Sequence, residues 1–199
     1  MAARSDLPKY TVPSLTPEEG AQVAGILQER LHALNDLQLT LKHIHWNVVG
    51  PHFIAVHEMI DPQVDAVRAM VDATAERIAT LGVSPQGTPG ALVAARTWED
   101  YSLGRATPSA HRGARDAGSH GDRAAPRAAG AAPEELDDVT NDLLIGHLHD
   151  LELFHWFVRA HLESTGGDLS TEGARTEAGA ARPAEEAGRV SPSPRPRAD

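Results

Sequence analysis

Residues 42–61 read KHIHWNVVGPHFIAVHEMID, and this stretch decides the fold. Gly50-Pro51 interrupts an otherwise periodic chain. Glycine weakens a helix, and proline disfavours the helical conformation of the residue before it, so a helix arriving from the N-terminal side stops here. Reading backward from that turn, Val48, Ile44, Leu41, Leu37, Leu34, Leu27, Ile26 and Val23 recur mostly at steps of three, four and seven, the helical period. The run begins at Thr16-Pro17-Glu18-Glu19, with Thr as N-cap, Pro at the first helical position and Glu19 closing a capping box. Reading forward, Ile60, Val64, Val67, Val71, Thr74, Ile78 and Leu81 keep the same rhythm until Gly82. The pattern predicts helix A over about 17–49 and helix B over about 53–82, folded as a long antiparallel hairpin.

Beyond the hairpin, residues 84–90 read as a loop, and residues 97–101 are expected to form a short helix in the connection. Val139, Leu143, Leu144, Leu148, Leu151, Phe154, Val158 and Leu162 form a broad apolar stripe. It predicts helix D over about 135–165, closed by Gly166-Gly167. Between these elements, residues 104–135 contain no Val, Ile, Leu, Met, Phe, Trp or Tyr. A helix C over about 104–132 would be degenerate, with no core face beyond Ala. Residues 1–15 are expected to be a flexible arm. Residues 167–199, rich in Gly, Ala, Pro, Arg and Glu, are expected to be a disordered tail. The fold class is all-α, with one domain over 16–166.

Composition narrows the function. The 199 residues contain no Cys, which excludes disulfides and thiol catalysis. The formal net charge is −10, so a generally basic nucleic-acid surface is excluded and any such contact must be local. There is neither an apolar leader nor a run approaching the ~20 residues a bilayer needs. A cytoplasmic location without membrane contact is expected. Eleven His is a high count for this length and points to metal or proton chemistry.

His45, His57, Asp61, Asp72 and Glu76 are the candidate metal ligands. His57 and Asp61 are four apart and share a helix face, as do Asp72 and Glu76. Imidazole with carboxylates suits a borderline divalent metal such as iron or zinc. His45 precedes the Gly50-Pro51 turn by about as much as His57 follows it, so the hairpin brings them level. Asp61 and Asp72 lie on nearly one face of helix B, yet roughly 16 Å apart at the helical rise. One chain cannot bring both to a single ion. A second helix B, antiparallel about a two-fold axis near Val67, would set His57 and Asp61 of one protomer beside Asp72 and Glu76 of the other. The spacing alone equally admits a solvated acidic stripe (Asp61, Asp65, Asp72, Glu76) and a hydrogen-bonded core His45. His43 faces elsewhere on helix A. Glu152-x-x-His155 has di-iron spacing but occurs once, where such bundles use it twice. His147 and His149 read as surface or entry-path residues. Asp137, Asp138, Asp142 and Asp150 read as an acidic first turn or the lining of an ion pore.

The segments His45-Trp46-Asn47-Val48-Val49-Gly50-Pro51-His52-Phe53, Val56-His57-Glu58, Asp61 and Asp72-Ala73-Thr74-Ala75-Glu76-Arg77-Ile78 resemble the Dps family of mini-ferritins, DNA-binding proteins from starved cells. The likeness continues through Thr80-Leu81-Gly82 and Pro85-Gln86-Gly87-Thr88, and into Leu143-Leu144-Ile145 and Trp156 to Leu162, covering most of 16–166. It implies a ferritin-like four-helix bundle, two-fold dimers within a dodecameric shell, and ferroxidase centres of His45, His57, Asp61, Asp72 and Glu76 drawn from two protomers. It further implies oxidation of Fe(II) to Fe(III), preferentially by hydrogen peroxide over dioxygen, and storage of ferric mineral. Trp46 would shield the centre, take up a stray oxidising equivalent, or simply pack. DNA contact, and with it association with the nucleoid, would rest on Arg189, Arg195 and Arg197, a cluster without intervening acid. The alternative is a catalytically silent shell, a structural DNA-binding protein, or a poorly folded product, because helix C lacks the apolar residues whose loss costs several kcal/mol each.

Overall fold

The structure is a computed structural model and describes residues 7–49, 53–98 and 137–162. Four helices and no strand are found among the described residues: α1 (Pro17–Asn47), α2 (Phe53–Thr80), α3 (Pro89–Ala95) and α4 (Asp138–Leu162). The expected all-α architecture is met, with the long helices ending two residues short of their sequence-based limits at Asn47 and Thr80. The expected helix C, the far ends of helix D, residues 99–101 of the expected connecting helix, and the 167–199 tail with Arg189, Arg195 and Arg197 lie outside the described residues.

α1 starts as its sequence dictates. Thr16 Oγ1 accepts from the Glu19 amide at 3.3 Å, and Glu19 Oε2 accepts from the Thr16 amide at 2.8 Å. Each side chain thus satisfies a backbone donor that the helix leaves unpaired. α1 and α2 run antiparallel, with Lys42 opposite Asp61 and His45 opposite His57. α2 continues through Pro62, which has no N–H to offer the Glu58 carbonyl.

Two apolar clusters hold the bundle. At the turn end, Leu34, Leu37, Leu41, Ile44 and Val48 of the α1 run meet Val56, Ile60, Val64, Val67 and Met70 of α2, with Leu151 and Val158 of α4 closing over them. At the other end Val23, Ala24, Leu27 and Leu31 meet Ile78 and Leu81. Each fully buried Leu, Ile or Val contributes roughly 1.5–3 kcal/mol, which makes these clusters the main source of stability. α2 and α4 are also antiparallel: Arg77 near the end of α2 reaches Asp137 and Thr140 at the start of α4.

Two expectations are corrected. A short connecting helix lies at Pro89–Ala95, and Thr97 and Trp98, the described residues of the helix expected over 97–101, are not helical. Its start repeats that of α1, with Thr88 as N-cap, Oγ1 accepting from the Ala91 amide at 3.3 Å, and Pro89 just inside. Trp98 instead donates its indole N–H to Asp36 Oδ2 at 2.7 Å, tying the connection back to α1. On α4, Val139 is exposed and Thr140 takes the buried position, because the inward face runs through 140, 144, 147, 151, 154 and 158. Ahead of α1, Val12 and Leu15 pack against the second cluster. Gly82 has φ of +88°, and a Cβ there would collide with the Tyr10 carbonyl and Pro8, so only glycine permits this close passage.

Candidate metal centre

The hairpin brings three of the five candidate ligands together. His45 Nδ1 is 3.0 Å from the His57 carbonyl, and His57 Nδ1 is 3.0 Å from the His45 carbonyl. A carbonyl only accepts, so each Nδ1 carries its ring's proton and donates it. In the neutral ring Nε2 then keeps the lone pair, and no hydrogen bond occupies either Nε2 among the described residues. A backbone carbonyl that fixes the tautomer in this way is the usual support for a metal-binding imidazole. The two rings stack with centroids 3.6 Å apart and planes at 24°, and Phe53 covers the outer side of His57 at 5.1 Å. His45 is buried and His57 half-buried.

Asp61 sits beside this pair. Its Oδ1 lies 3.2 Å from His45 Nδ1 and accepts from Lys42 Nζ at 2.7 Å. The hydrogen bond from Lys42 holds the Asp61 carboxyl below the usual carboxylate range, against the opposing pull of desolvation; the positive charges of the two imidazoles, when protonated, and of Lys42 act in the same direction as that bond. Lys42 is the residue the sequence reading passed over. It lies nineteen positions from Asp61, and only the register of α1 against α2 joins them.

Asp72 and Glu76 are not brought to the same place. Both are exposed on α2, fifteen and nineteen residues beyond His57 respectively, and the unbroken helix keeps Asp72 roughly 16 Å from Asp61. Among the described residues no three His, Asp or Glu side chains converge to hold an ion within one chain. The acids share their face of α2 with Ile54, and Asp65 there pairs with Arg68 at 3.5 Å. Val67, level with the expected two-fold axis, is itself fully buried in the protomer core. It marks the height of that axis along α2 and not the face. Trp46 is 68% exposed, so packing within the protomer does not account for it.

The remaining candidates separate from this centre. Asp137 caps α4, its Oδ1 accepting from the Thr140 amide at 3.0 Å and from Arg77 at 2.6 Å. Burial pushes its carboxyl up, but the Thr140 hydroxyl and amide and the Arg77 guanidinium outweigh that and hold it below the usual range. This is the acidic-first-turn reading for Asp137. His147 is not a surface residue: it lies half-buried on the inner face of α4, where burial pushes its imidazole pKa down against the pull of Asp150. His149 and Glu152 are exposed, and His155 is half-buried. No described helix is long and apolar enough to cross a membrane.

The family model for the ferritin-like domain matches residues 24–166. The chain is 56% identical over 172 residues to the DNA protection during starvation protein of Mycolicibacterium smegmatis, covering 86% of this chain and 94% of that one. It is 48% identical over 160 residues to the fine tangled pili major subunit of Haemophilus ducreyi, covering 80% and 85%. The solved structure of DpsA14 from Streptomyces coelicolor superposes with a TM-score of 0.72 at 59% identity, covering 82% of this chain and 98% of that one.

Proposed function

This chain belongs to the Dps family of ferritin-like proteins, and on that footing we propose that it oxidises Fe(II), preferentially with hydrogen peroxide, and stores the ferric product inside a dodecameric shell. In doing so it protects DNA in the cytoplasm. Fe(II) is the substrate. Its centres are shared between two-fold-related protomers, with His45, His57 and Asp61 from one and Asp72 and Glu76 from the other. Each Fe(II) gives up one electron. Two of them reduce one hydrogen peroxide, whose O–O bond breaks and whose oxygens take up two protons to leave as two waters.

The observation that carries this reading is the reciprocal pair of hydrogen bonds between His45 and His57. It costs neither ring its Nε2, and it sets both imidazoles beside a carboxylate. The distance to Asp72 supplies the reason for a partner, since a centre with all five ligands needs a second α2. Exposed Trp46, Phe53 and Ile54 flank the half-site and suit the apolar part of such an interface. Few ligands of imidazole and carboxylate type leave coordination positions open to an oxidant.

The test is Fe(II) with hydrogen peroxide added to the full chain, followed by ferric absorbance and by gel filtration of the same sample. The expected result is rapid oxidation by a species of shell size. A shell that forms but oxidises no faster than buffer identifies the catalytically silent alternative. A monomer that oxidises at full rate overturns the shared centre.

A further inference from the structure

Lys42 is one of only two lysines in the chain, and the proposed chemistry gives it no task. Its ammonium meets Asp61 Oδ1 at 2.7 Å, and the same oxygen is the one 3.2 Å from His45 Nδ1. Both contacts therefore fall on a single oxygen, and no hydrogen bond occupies Oδ2 among the described residues. Lys42 and His45 are three apart on α1, so the ammonium and the imidazole approach Asp61 from one helix face. A carboxylate with two free oxygens can chelate an ion through both. One pinned by an ammonium offers one oxygen and sets a fixed positive charge close to whatever binds there.

Resting on the Fe(II) centre proposed above, we infer that Lys42 is a positioning residue: it clamps Asp61 Oδ1, so that Asp61 presents only Oδ2 to a divalent ion. The clamp does two things. It fixes the rotamer of an otherwise half-exposed carboxylate before the ion arrives, and it keeps the ion's affinity low by like-charge repulsion. A centre that must bind Fe(II), admit an oxidant and then release its product is served by a loosely held ion with unfilled coordination positions.

Co(II) alone is the probe, titrated into full-length protein and followed by calorimetry and by its visible d–d absorption. Lys42→Met keeps the apolar stem and removes the charge. It is expected to bind Co(II) roughly tenfold more tightly, the size of effect a neighbouring unit charge has in a well-solvated site. Its d–d band should weaken as a second oxygen of Asp61 raises the coordination number. Lys42→Gln should behave like Lys42→Met, and Lys42→Arg, which retains the charge, should stay within about threefold of the native affinity. A purely structural role for Lys42 would move the unfolding midpoint and leave the band shape alone. Native affinity and native spectrum in both neutral variants, or weaker binding in them, overturns the clamp. Asp61→Ala separates the two readings. If it binds Co(II) as the native chain does, the centre itself is wrong. If it loses binding while the neutral Lys42 variants stay native, the centre stands and only the clamp falls.

Discussion

Asp61 and Asp137 each hold a cation from a neighbouring helix at nearly the same distance, Lys42 at 2.7 Å and Arg77 at 2.6 Å. The Asp61 side chain is 51% exposed and the Asp137 side chain 7%. Asp137 spends its bonded oxygen on a helix start as well as on the guanidinium, and Arg77 in turn donates Nε–H to Thr140 Oγ1 at 3.0 Å. That pair closes the junction of α2 and α4. Both aspartates leave Oδ2 without a partner among the described residues, but that of Asp137 is buried, whereas the Asp61 carboxylate stays open to solvent beside two imidazoles in the tautomer that ligates metal. The same chemistry therefore serves as a fastener where the carboxylate is buried between helices, and as a receptor where it stays exposed to an incoming ion.

Removing one member of each pair should break different things. Asp61→Ala, like His57→Ala, is expected to take the peroxide-driven oxidation of Fe(II) down by at least ~100-fold, beyond what losing a residue that merely supports a ligand costs. Its unfolding midpoint in urea should stay where it is. Ferric absorbance and a denaturation curve on the same preparation check both halves, and unchanged oxidation refutes the site assignment. Arg77→Ala should do the reverse. Leaving Asp137 buried without its guanidinium should cost about 2–3 kcal/mol in unfolding free energy, near the lower end for a broken buried pair because water still reaches part of this one. Protein concentration must be held fixed in that comparison, because assembly shifts apparent stability.

Acid sharpens the contrast. The Asp137 carboxyl lies below its ordinary value in the folded chain, so it contributes stability that is fully present above the unfolded value of about 4. That contribution is lost as pH falls through the depressed folded value. Asp137→Asn should accordingly be less stable than the native chain near neutrality, with the gap closing below about pH 4. A gap that persists unchanged at pH 2 would show that the charge is not what matters. The smallest effect belongs to a cap that has no ion pair at all. Thr88→Ala should cost about 1 kcal/mol or less, confined to α3, and hydrogen exchange at the Ala91 amide should report it while leaving the α1–α2 core protected.

Much of this was readable from one dimension. The capping box at Thr16 and the period of α1 and α2 are local signals, and each reappears in the folded chain where the pattern put it. The level pairing of His45 with His57 followed from counting residues on either side of the turn. The short helix was misplaced although its start signal, Thr88-Pro89, copies that of α1. Only seven residues follow, too few for a period to be seen. Val139 was misread because both sides of α4 carry large apolar residues, so composition could not show which side faces inward.

Periodicity and punctuation, which act between neighbours along the chain, set the long helices, their ends at the turn, and the identity of the candidate ligands. Packing alone decided which groups meet across helices. Lys42 reaches Asp61 across nineteen residues and Arg77 reaches Asp137 across sixty, and the register of one helix against another is fixed by the interlocking of Ile44, Ile60, Val64 and Val158 in the core. A slip of one turn would preserve every local signal and abolish both pairs, because side-chain periodicity repeats each turn while a hydrogen bond tolerates only a few tenths of an ångström.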